Sequence, residues 1–495
     1  MDLLLGALLL LHPVLGATTT RHHVCVVGAG ISGLRCASQL AAAGDHMRVT
    51  VLEASDGVGG RVRTDELQGF LLDRGFQVFI AAYPEARASL DYKKLQLGEF
   101  VPGAIVHLGG NHDAQQQQQQ QHLVADISRR PDLLAPTLRF PVGSFMDKAR
   151  LLLAVAGLKF FTSLDGDIFG RDGSGAGGGA DGSALSAEEA SALEYLRDSL
   201  GLEPPLIDSF FRPFFKGIFL APLEGISSRL LLFVLKMFAD GAVCLPANGL
   251  GAVSEQLAEQ VRAAGGDVRT STAVEGIPAP GEVRLSDGSC LTCDAIVVAT
   301  PRREAVRMLR EDLLPADAPL LAEDAARTRE ELSCACLYFA LDHPPPVSEP
   351  ILVLNGRASG SSTCSSSAGL VNTVCFPSMV SPTYAPAGSH LASVGVVGAD
   401  AAGAEDLEGA VRAELGHWFS AEEVAGWKHL RTYRIPNAQE SRPPGTNANG
   451  FNREPRIAPG VYLCGDHCAT PSLNGALRSG RAAAEAILKD LVAAP

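Results

Sequence analysis

Val24 to Val27 is an unbroken apolar run, the pattern of a strand buried on both faces, and Leu34 to Ala43 repeats apolar residues at helical spacing. Between them Gly28-Ala29-Gly30-Ile31-Ser32-Gly33 predicts a tight turn, and Arg48 to Leu52 a second strand. A similar succession closes the chain. Gly460 to Asp466 reads as a strand ending in an acid, Ser472 to Gly480 as the turn after it, and Arg481 to Val492 as a helix. In the interior, Leu230 to Phe238 and Ala252 to Ala263 read as helices, Asp287-Gly288 as a hairpin turn, and Cys293 to Pro301 as a buried strand. Apolar alternation from Gly69 to Phe79 predicts a strand in which Gly75 permits close approach of a ligand. Ala184 to Leu200 has a helical pattern whose start is assigned to Ser186, with Glu188 and Glu189 in the first turn. The fold class is therefore α/β.

The first strand, turn and helix form a βαβ unit suited to a dinucleotide. Gly28 makes the turn, Gly30 lets backbone approach a pyrophosphate, and Gly33 allows close helix packing. Phosphates are then favoured at the helix N-terminus by its free N–H groups and dipole. Glu53, at the end of the second strand, stands at the spacing of an acid that grips a ribose hydroxyl. The triplet alone does not separate NAD from FAD. Gly57-Val58-Gly59-Gly60-Arg61 follows at once, however, and brings flexible backbone and a cation toward a second part of the cofactor.

On those stretches, together with Gly465-Asp466 and Ser472-Leu473-Asn474-Gly475-Ala476, the chain resembles the FAD-dependent amine oxidase superfamily, which includes protoporphyrinogen oxidases and carotenoid desaturases and isomerases. The resemblance implies an FAD-binding Rossmann-like domain, of the type these enzymes share, interleaved with a substrate domain. Residues 21–100, 231–304 and 441–495 would bind FAD, and 101–230 with 305–440 would build the substrate domain. It further implies that Glu53 binds the adenosine ribose, Arg61 the pyrophosphate side, and Asp466 the ribityl chain. The Val274 backbone would meet adenine, and the backbone near Gly75 and Leu473 would face the flavin ring.

Composition narrows the partners. Lys plus Arg total 41 against 55 for Asp plus Glu, a net charge of −14, which argues against a nucleic-acid partner. The 11 cysteines offer no pair of ligand sets, so no metal site is expected. Residues 1–20 form a hydrophobic leader, short for a membrane span, which reads as a cleaved signal, an uncleaved anchor or an apolar extension. Contact with a membrane surface is open on the same grounds. Gln115 to Gln121, Gly170 to Gly182 and Ser359 to Gly369 are low-complexity stretches that read as solvent-exposed insertions.

The chemistry is less legible. Flavin amine oxidases commonly carry a lysine near the flavin and aromatics flanking the amine, yet no lysine lies between Lys236 and Lys428, and Ser472 stands at the usual aromatic position. The end motif is closer to the desaturase and isomerase branch. Phe210-Phe211-Arg212-Pro213-Phe214-Phe215 is either core packing or the wall of a passage for a lipophilic substrate. No catalytic residue is assigned, and His467 is either an acid or base or a flavin-adjacent or surface histidine. The expectation is hydride removal from a largely apolar, polyene-like substrate with reoxidation by oxygen or a quinone. An amine oxidase, an FAD-dependent isomerase and a non-enzymatic prenyl-protein escort of the same fold are the alternatives.

Overall fold

The computed structural model describes residues 21–109, 121–162, 168, 189–309, 313, 332–356, 369–398, 403–445, 451 and 453–492. The leader and the three low-complexity stretches, apart from Gln121 and Gly369, lie outside them. A six-stranded sheet runs in the order Asp267–Arg269, Met47–Leu52, His22–Val27, Ala295–Val298, Val461–Leu463, Arg456–Ala458. All neighbours are parallel except the last pair. The apolar runs of the sequence follow from this, because a parallel strand covered on both faces has no solvent side to alternate toward. Val24 to Val26 and Ala295 to Val298 have no exposed surface.

His22–Val27 has a neighbour from the next segment of chain on one side and a distant one on the other. Such a reversal of strand order opens a crevice at the carboxyl end of the strand, where the Gly28 turn sits. The helix Ile31–Ala41 leaves that turn and packs against the helix Leu473–Val492 at the opposite end of the chain. At Gly480 an added Cβ would lie 2.2 Å from the Ser32 carbonyl oxygen, so only glycine permits this approach. Gly251–Ala263 also packs on the first helix.

The second sheet has seven strands in the order Lys428–Gln439, Leu332–Leu341, His390–Val397, Val371–Cys375, Leu352–Asn355, Gly103–His107, Gln121–Ala125. Its strand Leu332–Leu341, second from one edge, alternates by the two-residue period of a pleated sheet. Ala335, Leu337, Phe339 and Leu341 point into a cluster with Trp418 and Trp427, while Cys336 and Tyr338 point into another with Phe70, Leu72 and Tyr384. The second cluster joins this sheet to the hairpin Thr64–Leu67/Phe70–Asp73.

Two expected boundaries shift. The strand expected over 69–79 ends at Asp73, and Phe79–Ile80 pairs separately with Val243–Leu245. Residues 184–188, with the start expected at Ser186, lie outside the described residues, and a described helix begins at Ala192. Ser191 and Glu194 form its reciprocal cap. The closing helix begins at Leu473, eight positions ahead of Arg481, because Ser472 accepts the Gly475 N–H and so starts the first turn.

Candidate functional site

The glycine turn and Glu53 are locked together by backbone. The Ala29 N–H donates to Glu53 Oε2 at 2.8 Å, and the Ser55 N–H and hydroxyl donate to Oε1 at 2.9 and 2.7 Å. The carboxylate is half-buried, and its remaining lone pairs can take further donors. Gly33 sits where an added Cβ would meet the Gly28 carbonyl oxygen at 2.1 Å and Ala299 Cβ at 3.0 Å, which is the close helix packing expected of it. At Gly30 an added Cβ meets nothing within 4 Å, so its smallness serves no packing inside the protein. Ser32 is buried one step into the helix.

The second glycine cluster closes over this turn. The Gly59 N–H donates to the Ala29 carbonyl at 2.8 Å, and the two segments bridge at Gly30 and Gly59. Gly60 lies so that its Cβ would stand 3.6 Å from Gly30 Cα. Arg61 then reaches across the molecule to Asp466, 405 residues away, with Nη2 donating to Oδ1 at 2.6 Å. Burial works to raise the Asp466 carboxyl, and the Arg61 guanidinium outweighs it, holding the group below the usual carboxylate range. Arg61 is raised in return by Asp466.

The other expected residues surround this centre. The Gly465 N–H donates to Ser479 Oγ at 3.0 Å, fixing the 465–466 turn to the closing helix, whose first residue is Leu473. Val274 follows a crossing in which the Thr272 N–H donates to the Glu53 carbonyl and the Ser271 N–H to the Ser55 carbonyl. Gly75 has φ +98°, and its loop is tied to Arg61 by Gln77 Nε2, which donates to the Arg61 carbonyl at 2.9 Å. An added Cβ at Gly75 would meet Ile435 Cδ1 at 2.6 Å, so a protein side chain faces it.

Two buried polar atoms near the turn and the acid have no partner in the structure: Thr300 Oγ1, beside Gly28, and His467 Nε2. An open face at Gly30, a pre-positioned carboxylate, a basic side chain and unpaired buried donors suit a polyhydroxylated, phosphate-bearing molecule, so the residues present fit FAD. His467 is buried, not on the surface. Its burial, with Arg442 and Arg453 nearby, outweighs the pull of Asp466 and brings the ring down to about 3, so it is neutral near pH 7.

Two features were not foreseen from sequence. Arg442, buried, donates to the carbonyls of Asp466, His467 and Ala469 and so shapes the turn carrying the acid. Asp73, also buried, accepts from Thr64 Oγ1 at 2.5 Å, the Leu250 N–H at 2.9 Å and the Tyr384 hydroxyl at 2.8 Å. Its own carbonyl accepts from the Tyr338 hydroxyl at 2.9 Å. The partners are remote in sequence, and nothing local marks either residue. Among the described residues no cluster of ligating side chains suits a metal ion.

The sequence model of the family described as "Flavin containing amine oxidoreductase" matches residues 31–488. The coproporphyrinogen III oxidase of Propionibacterium freudenreichii is 25% identical over 383 residues, 67% of this chain and 66% of its own length. An L-amino-acid oxidase of Bungarus fasciatus is 45% identical over 85 residues, 17% of this chain and 16% of its own. The chain thus spans just under two thirds of the first relative and a small part of the second. Among solved structures, an oxidoreductase from Methanosarcina mazei superposes with a TM-score of 0.65 over 94% of this chain and all of its own, at 16% identity, a likeness of fold.

Proposed function

The chain belongs to the flavin containing amine oxidoreductase family of FAD-dependent oxidoreductases, and from that premise we propose that it removes a hydride from a largely apolar, polyene-like substrate. The observation that carries this reading is the division of the aromatic helix. Phe211, Phe215 and Phe219 are buried in the core, whereas Phe210, Phe214 and Phe238 are only half-buried and stand in a row with centroids 5.6 and 5.7 Å apart. Such a row offers a lipophilic molecule aromatic faces without polar groups. An amine fits less well, since Lys236 is engaged with Asp240 at 2.8 Å and the next lysine is Lys428.

FAD, when bound, supplies the hydride acceptor. The chain's own residues bind and orient. Glu53 offers its free lone pairs to ribose hydroxyls, its carboxylate kept in place by Ala29 and Ser55. Arg61 and Asp466 present opposite charges to the middle of the cofactor, and Arg442 holds the backbone beneath Asp466. His467, neutral and buried, adds no charge to the site. Oxygen or a quinone would take the electrons from the reduced cofactor.

A tetrapyrrole precursor is the second reading. The match to the coproporphyrinogen III oxidase extends over most of the chain, whereas the amino-acid oxidase match is confined to 85 residues. Anaerobic titration of the yellow protein with polyenes, porphyrinogens and amines tests all three, because only a substrate bleaches the flavin band. Bleaching by amines alone refutes the proposal, and a colourless protein that takes up no FAD favours the escort. Glu53→Ala is expected to weaken FAD retention about tenfold or more, by loss of charge-assisted hydrogen bonds. Unchanged retention removes Glu53 from the ribose.

A further inference from the structure

The large hydrophobic side chains exposed among the described residues are confined to one short region, 134–160. Five belong to the helix Phe145–Phe161: Phe145, Met146, Leu152, Leu153 and Phe160, with Phe145 79% exposed and Leu153 and Phe160 each 72%. At about 100° per residue these five fall within an arc of about 120°, one continuous face. Leu134 and Leu138, on the short helix just before it, are exposed as well. The opposite face is anchored. Leu158 and Asp147 are buried, Ser144 and Asp147 cap the first turn reciprocally, and Lys148 donates to the carbonyls of Leu138 and Phe140. The helix also packs against Ser228–Asp240, where Lys236 reaches the Lys159 carbonyl.

The charges around this face identify its occupant. Residues 134–162 carry Arg139, Lys148, Arg150 and Lys159, and their single acid is the buried Asp147. Lys159 flanks the apolar arc on one side, about 20° beyond Leu152, and Arg150 on the other, about 40° beyond Met146. In a chain of net charge −14 this is a local reversal of sign. We propose that the helix Phe145–Phe161 lies in the plane of an anionic bilayer surface, its aromatic and leucine side chains in the acyl boundary and its basic rim at the headgroups. An apolar face edged by Lys and Arg is the arrangement that binds such surfaces. A second copy of the chain is a poorer occupant, since a two-fold contact would set one basic rim against the other. No helix among the described residues is long and apolar enough to cross a membrane, and a surface position requires none. The docked helix packs against the helix that carries Phe238, which places the half-buried aromatic row on its neighbour. The docking itself does not depend on the identity of the substrate.

The test uses the full chain with phosphatidylcholine vesicles, with and without phosphatidylserine. The two native tryptophans, Trp418 and Trp427, are buried, so Leu153→Trp adds an exposed reporter on the proposed face. Its emission is expected to shift to the blue with anionic vesicles and to be quenched by brominated acyl chains. Leu153→Glu with Phe160→Glu should lower vesicle partitioning by about tenfold or more, since two bulky apolar groups are replaced by anions, while the thermal midpoint is unchanged. Absence of quenching at position 153 overturns the proposal, because binding through residues 1–20 would leave that position in water. It is equally overturned if light scattering shows a dimer without lipid that the double substitution converts to monomer.

Discussion

Asp73→Ala is the substitution whose cost follows most directly from the structure. The carboxylate takes three donors, from Thr64, the Leu250 backbone and Tyr384, and both Asp73 and Tyr384 are buried. Thr64 can rotate its hydroxyl, so two donors are left without acceptors, and each costs about 1–3 kcal/mol. The expected loss is about 2–6 kcal/mol, toward the lower end where water fills the vacated space. Asp73→Asn keeps one oxygen for Thr64 and Leu250 and leaves only the Tyr384 O–H without an acceptor, so its cost is about 1–3 kcal/mol, below that of alanine. Burial raises the Asp73 carboxyl, against the pull of its hydrogen bonds, so the fold favours the protonated form. Its pH-linked contribution is therefore complete below the unfolded value, about 3.9, and is lost as pH rises through the folded value. The asparagine variant lacks that slope. Urea unfolding should be followed by fluorescence of Trp418 and Trp427, which report the seven-stranded sheet, and by flavin release. Since Tyr338 and Tyr384 couple that sheet to the hairpin through Asp73, the alanine variant should lower both midpoints. Equal losses for alanine and asparagine, or a shift in one signal alone, would refute the argument.

Gly33→Ala should abolish flavin uptake, because its Cβ would meet the Gly28 carbonyl oxygen at 2.1 Å and the turn must open; a normal yellow protein would contradict the packing argument. The depressed Asp466 carboxyl contributes stability that is present above about pH 3.9 and lost as pH falls through its folded value. The difference in thermal midpoint between wild type and Asp466→Asn should therefore shrink in acid, and a gap independent of pH would count against the Arg61 pairing. His467, with its pKa pushed down to about 3, contributes stability at neutral pH that begins to fall below about pH 6.5. His467→Asn should leave the pH profile of flavin reduction between 5 and 8 unchanged, and a lost inflection would make this ring a proton carrier.

What was legible from sequence is what the chain states locally. The run Val24–Val27, the glycines after it and Glu53 lie within one βαβ unit, where spacing alone reports a turn, a helix start and a strand end. The pairing of Glu53 with the Ala29 N–H is a consequence of that short-range geometry. Asp73 shows the opposite case. Its partners Tyr338 and Tyr384 come from 265 and 311 positions further along, and an aspartate in the run FLLD looks like any strand end until those tyrosines arrive. Arg442 is hidden for a related reason, since it serves backbone carbonyls, which have no identity in a sequence. The exposed face of Phe145–Phe161 was obscured differently. The helix is apolar on nearly every side, so periodicity could not separate the buried Leu158 from the exposed Leu153.

Arg61 and Asp466 carry this contrast into the site itself. Each stands at the end of a segment readable by local pattern, yet the contact between them spans 405 residues. The closing strand Val461–Leu463 enters the sheet beside Ala295–Val298, and the closing helix packs on Ile31–Ala41 through the glycine contact at Gly480 and Ser32. Both contacts hold Asp466 within reach of Arg61. Such distant pairing is entropically slow to close. The charged middle of the candidate cofactor site thus joins the two ends of the chain, whereas the glycine turn and Glu53 lie within one βαβ unit. The turn is specified by contacts within about 30 residues, the Arg61–Asp466 pair by a contact that the whole intervening chain must bring together.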